Sequence, residues 1–241
     1  CDQFFEGGLN LESINDGLIT LIPKVAAPQG VNDFRPITLL NCCLKVITKL
    51  LANWLQKIIL KIIHHNQYGF LKKRSIQDCL AWAFEYIYQC QASKNPIVIL
   101  KLDFAKAFDT IDHEAMLDIM KHMGFNEKWL GWIKTIFSSA KSSVLLNGVP
   151  GKQFNCVCGV WQGDPLSPLI FVLAADLLQA AINDSFRRNE LHLPFNRPNQ
   201  SDYPVIQYAD DTIILLPACQ DLATLVKNIL IAYATSVGLK I

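Results

Sequence analysis

Residues 204–217 constrain this chain most tightly. Pro204-Val205-Ile206-Gln207 and Thr212-Ile213-Ile214-Leu215-Leu216-Pro217 are both rich in strand formers, and Tyr208-Ala209-Asp210-Asp211 lies between them. The pattern predicts two short strands joined by a tight turn that carries an acidic pair. Adjacent carboxylates repel one another, and partial burial in an apolar hairpin adds to the cost. A bound divalent cation relieves both problems. A solvated polar turn avoids them, and an Asp-Asp pair taken alone is more often that.

A third carboxylate shifts the balance. Ile97-Val98-Ile99-Leu100-Lys101-Leu102 reads as a buried strand that ends in Asp103. Strand ends and hairpin tips can meet on one edge of a sheet, which makes Asp103, Asp210 and Asp211 the candidate catalytic and metal-binding set. Two divalent ions roughly 3.5–4 Å apart, held by carboxylates, are the apparatus of in-line phosphoryl displacement. Hard oxygen ligands select Mg²⁺ over softer metals. No His/Cys ligand cluster, Ser-His-Asp arrangement or P-loop pattern competes.

Length and composition set the bounds for the rest of the chain. At 241 residues and 51% hydrophobic it can form one large domain or two small ones. Its 22 basic and 21 acidic residues give a net charge of +1, which leaves room for a local basic groove. Eight scattered Cys without zinc or redox spacing read as reduced core thiols of an intracellular protein. No apolar run is read as reaching the ~18 residues of a membrane span, so no membrane partner is expected. The apolar Val237-Gly238-Leu239-Lys240-Ile241 at the end suggests a piece of something longer.

Taken in order, Leu18 to Pro23 is a short strand, and Lys24 and Arg35 flank a hairpin. From Thr38 to about Ile63 apolar residues recur at helical spacing, among them Cys43, Ile47, Trp54 and Ile58. His64 and His65 read as charge at that helix's C-terminus. Tyr68-Gly69-Phe70-Leu71-Lys72-Lys73-Arg74 is a basic loop interleaved with aromatics, a composition suited to nucleic-acid backbone and bases. A helix follows from Ser75, with Leu80, Phe84, Ile87 and Cys90 as its apolar face. Asp109 or Thr110 caps a helix to about Met123, and Glu127 to Phe137 is another. Asn147-Gly148 marks a hairpin. Ser167 and Pro168 open a helix, apolar nearly all round, over Leu169 to Ile182. Arg187 to Tyr203 is a polar excursion, and Leu222 to Val237 a last helix.

In this order the motifs resemble those of reverse transcriptases. Tyr208-Ala209-Asp210-Asp211 is similar to the family's catalytic box, Lys101 to Asp109 to its first catalytic motif, and Gln162-Gly163-Asp164-Pro165-Leu166-Ser167-Pro168 to its template and nucleotide loop. Leu21 to Lys24, Asp33 to Ile37 and Gly69 to Asp78 resemble the fingers motifs of the non-LTR (LINE-type) retrotransposon branch, plant elements in particular. The resemblance implies an α+β right-hand polymerase: fingers over 1–98, a palm with an antiparallel sheet over 99–241, residues 141–158 palm or returned to the fingers, and no thumb. It implies RNA-directed DNA polymerase activity with two Mg²⁺ ions, an RNA template, a DNA primer and dNTPs. The rest of a larger polyprotein would supply an endonuclease and thumb, and the nucleus is the expected location.

The same resemblance implies roles for single residues. Asp103 and Asp210 would bind the metals and Asp211 complete the acidic site. Lys24 and Arg35 would hold the triphosphate. Phe108 would exclude a 2′-hydroxyl, and Gln162 and Gly163 would touch nucleotide and template. Tyr208, Lys72 and Arg74 would meet primer and template, and Lys240 is a candidate proton donor to pyrophosphate. The chain departs from the family where Arg is usual, at Trp161, Cys158 and Trp54, and where Gly is usual, at Lys73. The alternative reading is therefore a decayed, catalytically weak relic that only binds nucleic acid.

Overall fold

The computed structural model describes residues 1–195 and 201–240. In chain order the elements are α1 (Asp2–Phe5), β1 (Asp16–Pro23), β2 (Phe34–Leu40), α2 (Cys42–Ile62), α3 (Ile76–Ala92), β3 (Ile97–Leu102) and α4 (Ala107–Thr110). Then come α5 (His113–His122), α6 (Glu127–Ser138), β4 (Lys141–Leu146), β5 (Val149–Pro150), β6 (Phe154–Asn155), α7 (Ser167–Arg187), β7 (Val205–Tyr208), β8 (Asp211–Pro217) and α8 (Gln220–Val237). The chain forms two compact units: one of Cys1–Leu55 and Phe108–Pro168, the other of Gln56–Ala107 and Leu169–Ile241.

The first unit is built on the sheet β2-β1-β4-β5, with β6 also pairing β4. β1 runs antiparallel to β2 and parallel to β4. The side-chain amide of fully buried Asn15 ties the start of β1 to α6, donating to the Ile136 carbonyl (2.8 Å) and the Ser139 hydroxyl (2.7 Å). Phe5, Trp54 and Trp132 pack as an aromatic group, with ring centroids 4.9–5.8 Å apart. Trp54 is thus a packing residue in this chain.

The second unit carries the antiparallel sheet β3-β8-β7. Ile206 and Leu215 bury one face of it against Cys79, Ala83, Tyr86 and Cys90 of α3. On the other face the Gln207 side chain donates to the Ala175 carbonyl of α7 (3.1 Å). The α8 residue Tyr233 donates from its hydroxyl to the Ala174 carbonyl (3.3 Å). Each fully buried aliphatic side chain here contributes about 1.5–3 kcal/mol.

Several sequence expectations need correction. Thr38–Leu40 belong to β2, and α2 begins at Cys42. Its buried stripe is Leu44, Ile47, Leu51, Leu55, Ile59, so Cys43, Trp54 and Ile58 are exposed. A helix with apolar residues on several faces does not reveal its phase through periodicity alone. In α3 the inward residues are Cys79, Ala83, Tyr86 and Cys90, while Leu80 and Phe84 are exposed. β3 is an edge strand rather than a buried one, with Val98 and Ile99 exposed. Asp112, not Asp109 or Thr110, caps α5 by accepting the Ala115 N–H (2.8 Å). Asp164 rather than Ser167 serves the start of α7, its carboxylate accepting the Leu166 and Ser167 N–H groups (2.9 and 3.0 Å). Cys79 and Cys90 are buried thiols, but Cys1, Cys42, Cys43, Cys158 and Cys219 are exposed. Among the described residues α7 alone is long and apolar enough to cross a membrane; 72% of its most apolar window is buried inside the protein. Residues 196–200 of the polar excursion, and Ile241 of the final motif, lie outside the described residues.

Candidate active site

The acidic residues owe their placement to β-sheet register. β3 pairs antiparallel with β8 up to Leu102 opposite Thr212, and β7 pairs with β8 up to Tyr208 opposite Asp211. The next position past β3 is Asp103, which the register sets opposite Asp211. Directly opposite residues of an antiparallel pair share a face, so Tyr208, Asp211 and the 103 position lie on one side of the sheet. Asp210 occupies the two-residue turn Ala209-Asp210.

That turn is unusual in its chemistry. Ala209 has φ 58°, in the left-handed region that costs an L-residue about 1–2 kcal/mol. A positive φ at the first central position only is the mark of a type II′ hairpin, which normally has glycine there. Here the strain is held from outside. Gly69 lies so close that a Cβ on it would sit 2.2 Å from the Ala209 nitrogen. The side-chain oxygen of Gln67 accepts the Ala209 N–H (3.1 Å) and the Gly69 N–H (2.8 Å). Loop and strand also exchange backbone bonds, Tyr68 N–H to the Gln207 carbonyl (2.8 Å) and Gln207 N–H to the Asn66 carbonyl (3.0 Å). Sequence reasoning missed Gln67 and Gly69 as supports. The signal was the pair itself, two residues apart in a loop, but its partner is 140 positions further along the chain.

Asp103 and Asp211 are exposed and Asp210 is half-buried. The Lys101 ammonium lies 3.5 Å from Asp211, an exposed pair worth little to stability. It shows Asp211 already facing a cation. Among the described residues, no three or more His, Cys, Asp or Glu side chains gather into a set able to hold a metal ion. The donor chemistry of the three carboxylates fits a hard divalent ion, and register brings their backbones to one end of the sheet. The side chains themselves do not converge. Beside them, the Lys240 carbonyl accepts the Ala105 N–H (2.9 Å), which brings the chain's last described residue next to the segment leaving Asp103.

The basic loop divides into two kinds of residue. Lys72 and Lys73 are exposed. Lys73 has φ 73°, a backbone state natural to the glycine usual at this place in the resembled motif. Arg74 turns inward. Its guanidinium donates to the carbonyls of His64 and Gln67 (both 2.6 Å) and Ile63 (3.4 Å), and burial lowers its pKa. Three carbonyls thus engage its charge, and Arg74 anchors the loop from within. His64, expected as helix-end charge, instead pairs its ring nitrogen with Asp176 (2.9 Å).

The other predicted residues lie in the first unit. Lys24 and Arg35 are exposed at the loop end of the β1–β2 hairpin, where Ile22 pairs Arg35, and the Lys24 ammonium donates to the Asn32 carbonyl (2.9 Å). The Gln162 carbonyl accepts the Thr38 N–H (3.2 Å), and Gly163 has φ 106°. Both therefore sit against β2. Phe108 lies in α4, and its carbonyl accepts the Val160 N–H (2.6 Å). Gly159 follows the same seam, where a Cβ would come 2.7 Å from the Asp109 carbonyl oxygen. Asp164 is almost wholly buried, and that burial raises its pKa against the hydrogen bonds from Thr48, Leu166 and Ser167.

A three-stranded antiparallel sheet backed by helices, with a carboxylate hairpin at one end, defines the palm of a template-directed polymerase. The family model described as "Reverse transcriptase (RNA-dependent DNA polymerase)" matches residues 22–241, and the chain belongs to this family, in its non-LTR retrotransposon branch. It is 26% identical over 242 residues to a "Transposon TX1 uncharacterized 149 kDa protein" of Xenopus laevis, covering 99% of this chain and 18% of the relative. It is also 26% identical over 199 residues to a "Retrovirus-related Pol polyprotein from type-1 retrotransposable element R2" of Popillia japonica, covering 81% of this chain and 27% of that protein. The chain thus spans about a quarter or less of these relatives' length. Apo telomerase of Candida tropicalis, truncated from its C-terminal domain, shares the fold, with a TM-score of 0.63, 16% identity, and coverage of 95% of this chain and 49% of that one.

Proposed function

We propose that this chain is the fingers-and-palm part of an RNA-directed DNA polymerase, adding deoxynucleotides to a primer 3′-hydroxyl with release of pyrophosphate. The observation that carries the reading is the register that sets Asp103 opposite Asp211 and puts Asp210 at the turn beside them. Asp103, Asp210 and Asp211 are the residues that would hold two Mg²⁺ ions. Bound there, such ions supply Lewis-acid activation of the attacking hydroxyl and charge stabilisation of the leaving pyrophosphate.

The chain's own residues would do the rest. Lys24 and Arg35 would grip the triphosphate, Arg35 by a bidentate contact. Phe108 would fill the space of a 2′-hydroxyl, and Gln162 and Gly163 would offer side chain and backbone to nucleotide and template. Tyr208 would pack beside the primer end, and Lys72 and Arg74 would meet primer or template. Residues 1–98 as fingers and 99–241 as palm belong to the same reading; the pairing of β4 with β1 supports the return of 141–158 to the fingers. A nuclear site of action, with an endonuclease and thumb elsewhere in the polyprotein, completes it.

The test is Mg²⁺-dependent primer extension on an RNA template, wild type against Asp210→Asn. The variant is expected to lose about 10²–10³-fold in rate. Extension at the wild-type rate by Asp210→Asn would sink the reading. Binding of RNA without extension by the wild type would favour the relic, and incorporation of ribonucleotides in preference would point to an RNA polymerase.

A further inference from the structure

Gln67 is fully buried, yet it lies in the loop between α2 and α3. Its side-chain oxygen is the shared acceptor of two backbone donors, Gly69 N–H (2.8 Å) and Ala209 N–H (3.1 Å). Among the described residues its side-chain nitrogen has no hydrogen-bond partner. Two converging N–H groups require an oxygen, so the amide orientation is fixed by chemistry. One of those donors is the residue at φ 58° immediately before Asp210.

We propose that Gln67 is a positioning residue for the Asp210–Asp211 turn. By holding the Ala209 amide it fixes the peptide plane between Tyr208 and Ala209, and so the direction in which the two carboxylates leave the hairpin. The proposal rests on the reading of these carboxylates as the catalytic set. The contact is strongly defined. A Cβ at Gly69 would meet the Ala209 nitrogen at 2.2 Å, so the loop cannot slide toward the turn. The backbone exchange of Tyr68 and Asn66 with Gln207 keeps it from sliding along the strand. Arg74, bonded to the Gln67 carbonyl at 2.6 Å, holds the loop from behind. Errors of about 1 Å at reacting groups cost on the order of 10²-fold, and the positive φ of Ala209, disfavoured for an L-residue, needs a contact from outside the turn to hold it.

The test uses the 241-residue chain and three forms: wild type, Gln67→Met, which keeps the length and removes the acceptor, and Gln67→Glu, which keeps the acceptor. Amide hydrogen exchange by NMR reads the contact without reference to activity. In the wild type Ala209 N–H should exchange at least about tenfold more slowly than the turn amide of Gly148. Gln67→Met should lose that protection and Gln67→Glu regain it. Primer extension should show kcat reduced about 30- to 100-fold in Gln67→Met with KM for dNTP within about twofold, and a higher Mg²⁺ concentration for half-maximal rate. Unprotected Ala209 in the wild type would overturn the proposal, whether or not either variant folds. So would an unchanged kcat in a folded Gln67→Met. If instead Asp210→Asn extends primers like wild type, the catalytic reading fails while the exchange data still decide the Gln67 contact.

Discussion

Among the described residues two hairpins have two-residue turns, and they are stabilised in opposite ways. Asn147-Gly148 joins β4 to β5 with φ values of 50° and 82°. It is the sequence most suited to a type I′ turn, and a Cβ on Gly148 would meet nothing within 4 Å. Ala209-Asp210 joins β7 to β8 with a residue unsuited to its φ of 58°. It is pressed by Gly69 and held by Gln67. The first turn makes itself; the second is made by its neighbours. A turn held by tertiary contacts can carry a residue such as Ala209 that intrinsic turn chemistry would not choose, and its geometry can be set from behind.

The comparison breaks first at Gly69. Gly69→Ala has to displace the Ala209 backbone, because the built Cβ is 2.2 Å from its nitrogen and 2.7 Å from its Cα. Backbone is not a flexible obstacle, so the expected cost is about 3 kcal/mol in urea unfolding, with primer extension lost as well. A Gly69→Ala protein as stable as wild type would mean that the loop does not press on the turn.

Gly148→Ala is the matched control. Its φ of 82° penalises any side chain, but the space is open. The expected loss is about 1 kcal/mol, and polymerase activity should be unaffected. If Gly148→Ala lost activity as strongly as Gly69→Ala, the contrast between a self-made turn and a held one would fail.

The hairpins were legible because strand formers and turn residues act locally: Pro204 to Pro217 and the Asn147-Gly148 turn announce themselves within a few positions. The carboxylates at 103, 210 and 211 were legible too, since a charge at the end of an apolar strand is conspicuous. What stayed hidden depends on distant partners. Nothing around Arg74 indicates that the carbonyls of Ile63, His64 and Gln67 await its guanidinium, so its anchoring of the loop stayed hidden. The phases of α2 and α3 were hidden for another reason. Leu80 and Phe84 are exposed while the smaller Cys79 and Ala83 face the sheet, a choice made by the closeness of helix and sheet rather than by hydrophobicity. The exposure of Val98 and Ile99 follows from β3 lying at the sheet's edge, which strand composition does not encode.

The smallest effect probes the far end of the brace, where α2 gives way to the loop that holds the turn. Asp176 accepts both the His64 backbone N–H (2.9 Å) and its ring nitrogen (2.9 Å), and Arg74 donates to the His64 carbonyl. The hydrogen bond to Asp176 raises the His64 pKa, opposed by burial, with the Asp176 and Asp202 charges adding and Arg187 subtracting. A histidine whose folded pKa is raised gives stability that is complete below its unfolded value, about 6.5, and lost as pH rises through the folded value. Urea unfolding should therefore show stability declining from about pH 6.5 upward through that raised value, by less than the loss in Gly148→Ala because the ring is partly solvated. His64→Gln, which cannot ionise, should flatten the slope while leaving the Gly148 turn untouched. Equal slopes in wild type and His64→Gln would show that the pair does not support the loop through charge, and would leave Arg74 and the backbone exchange with Gln207 as the whole of the brace.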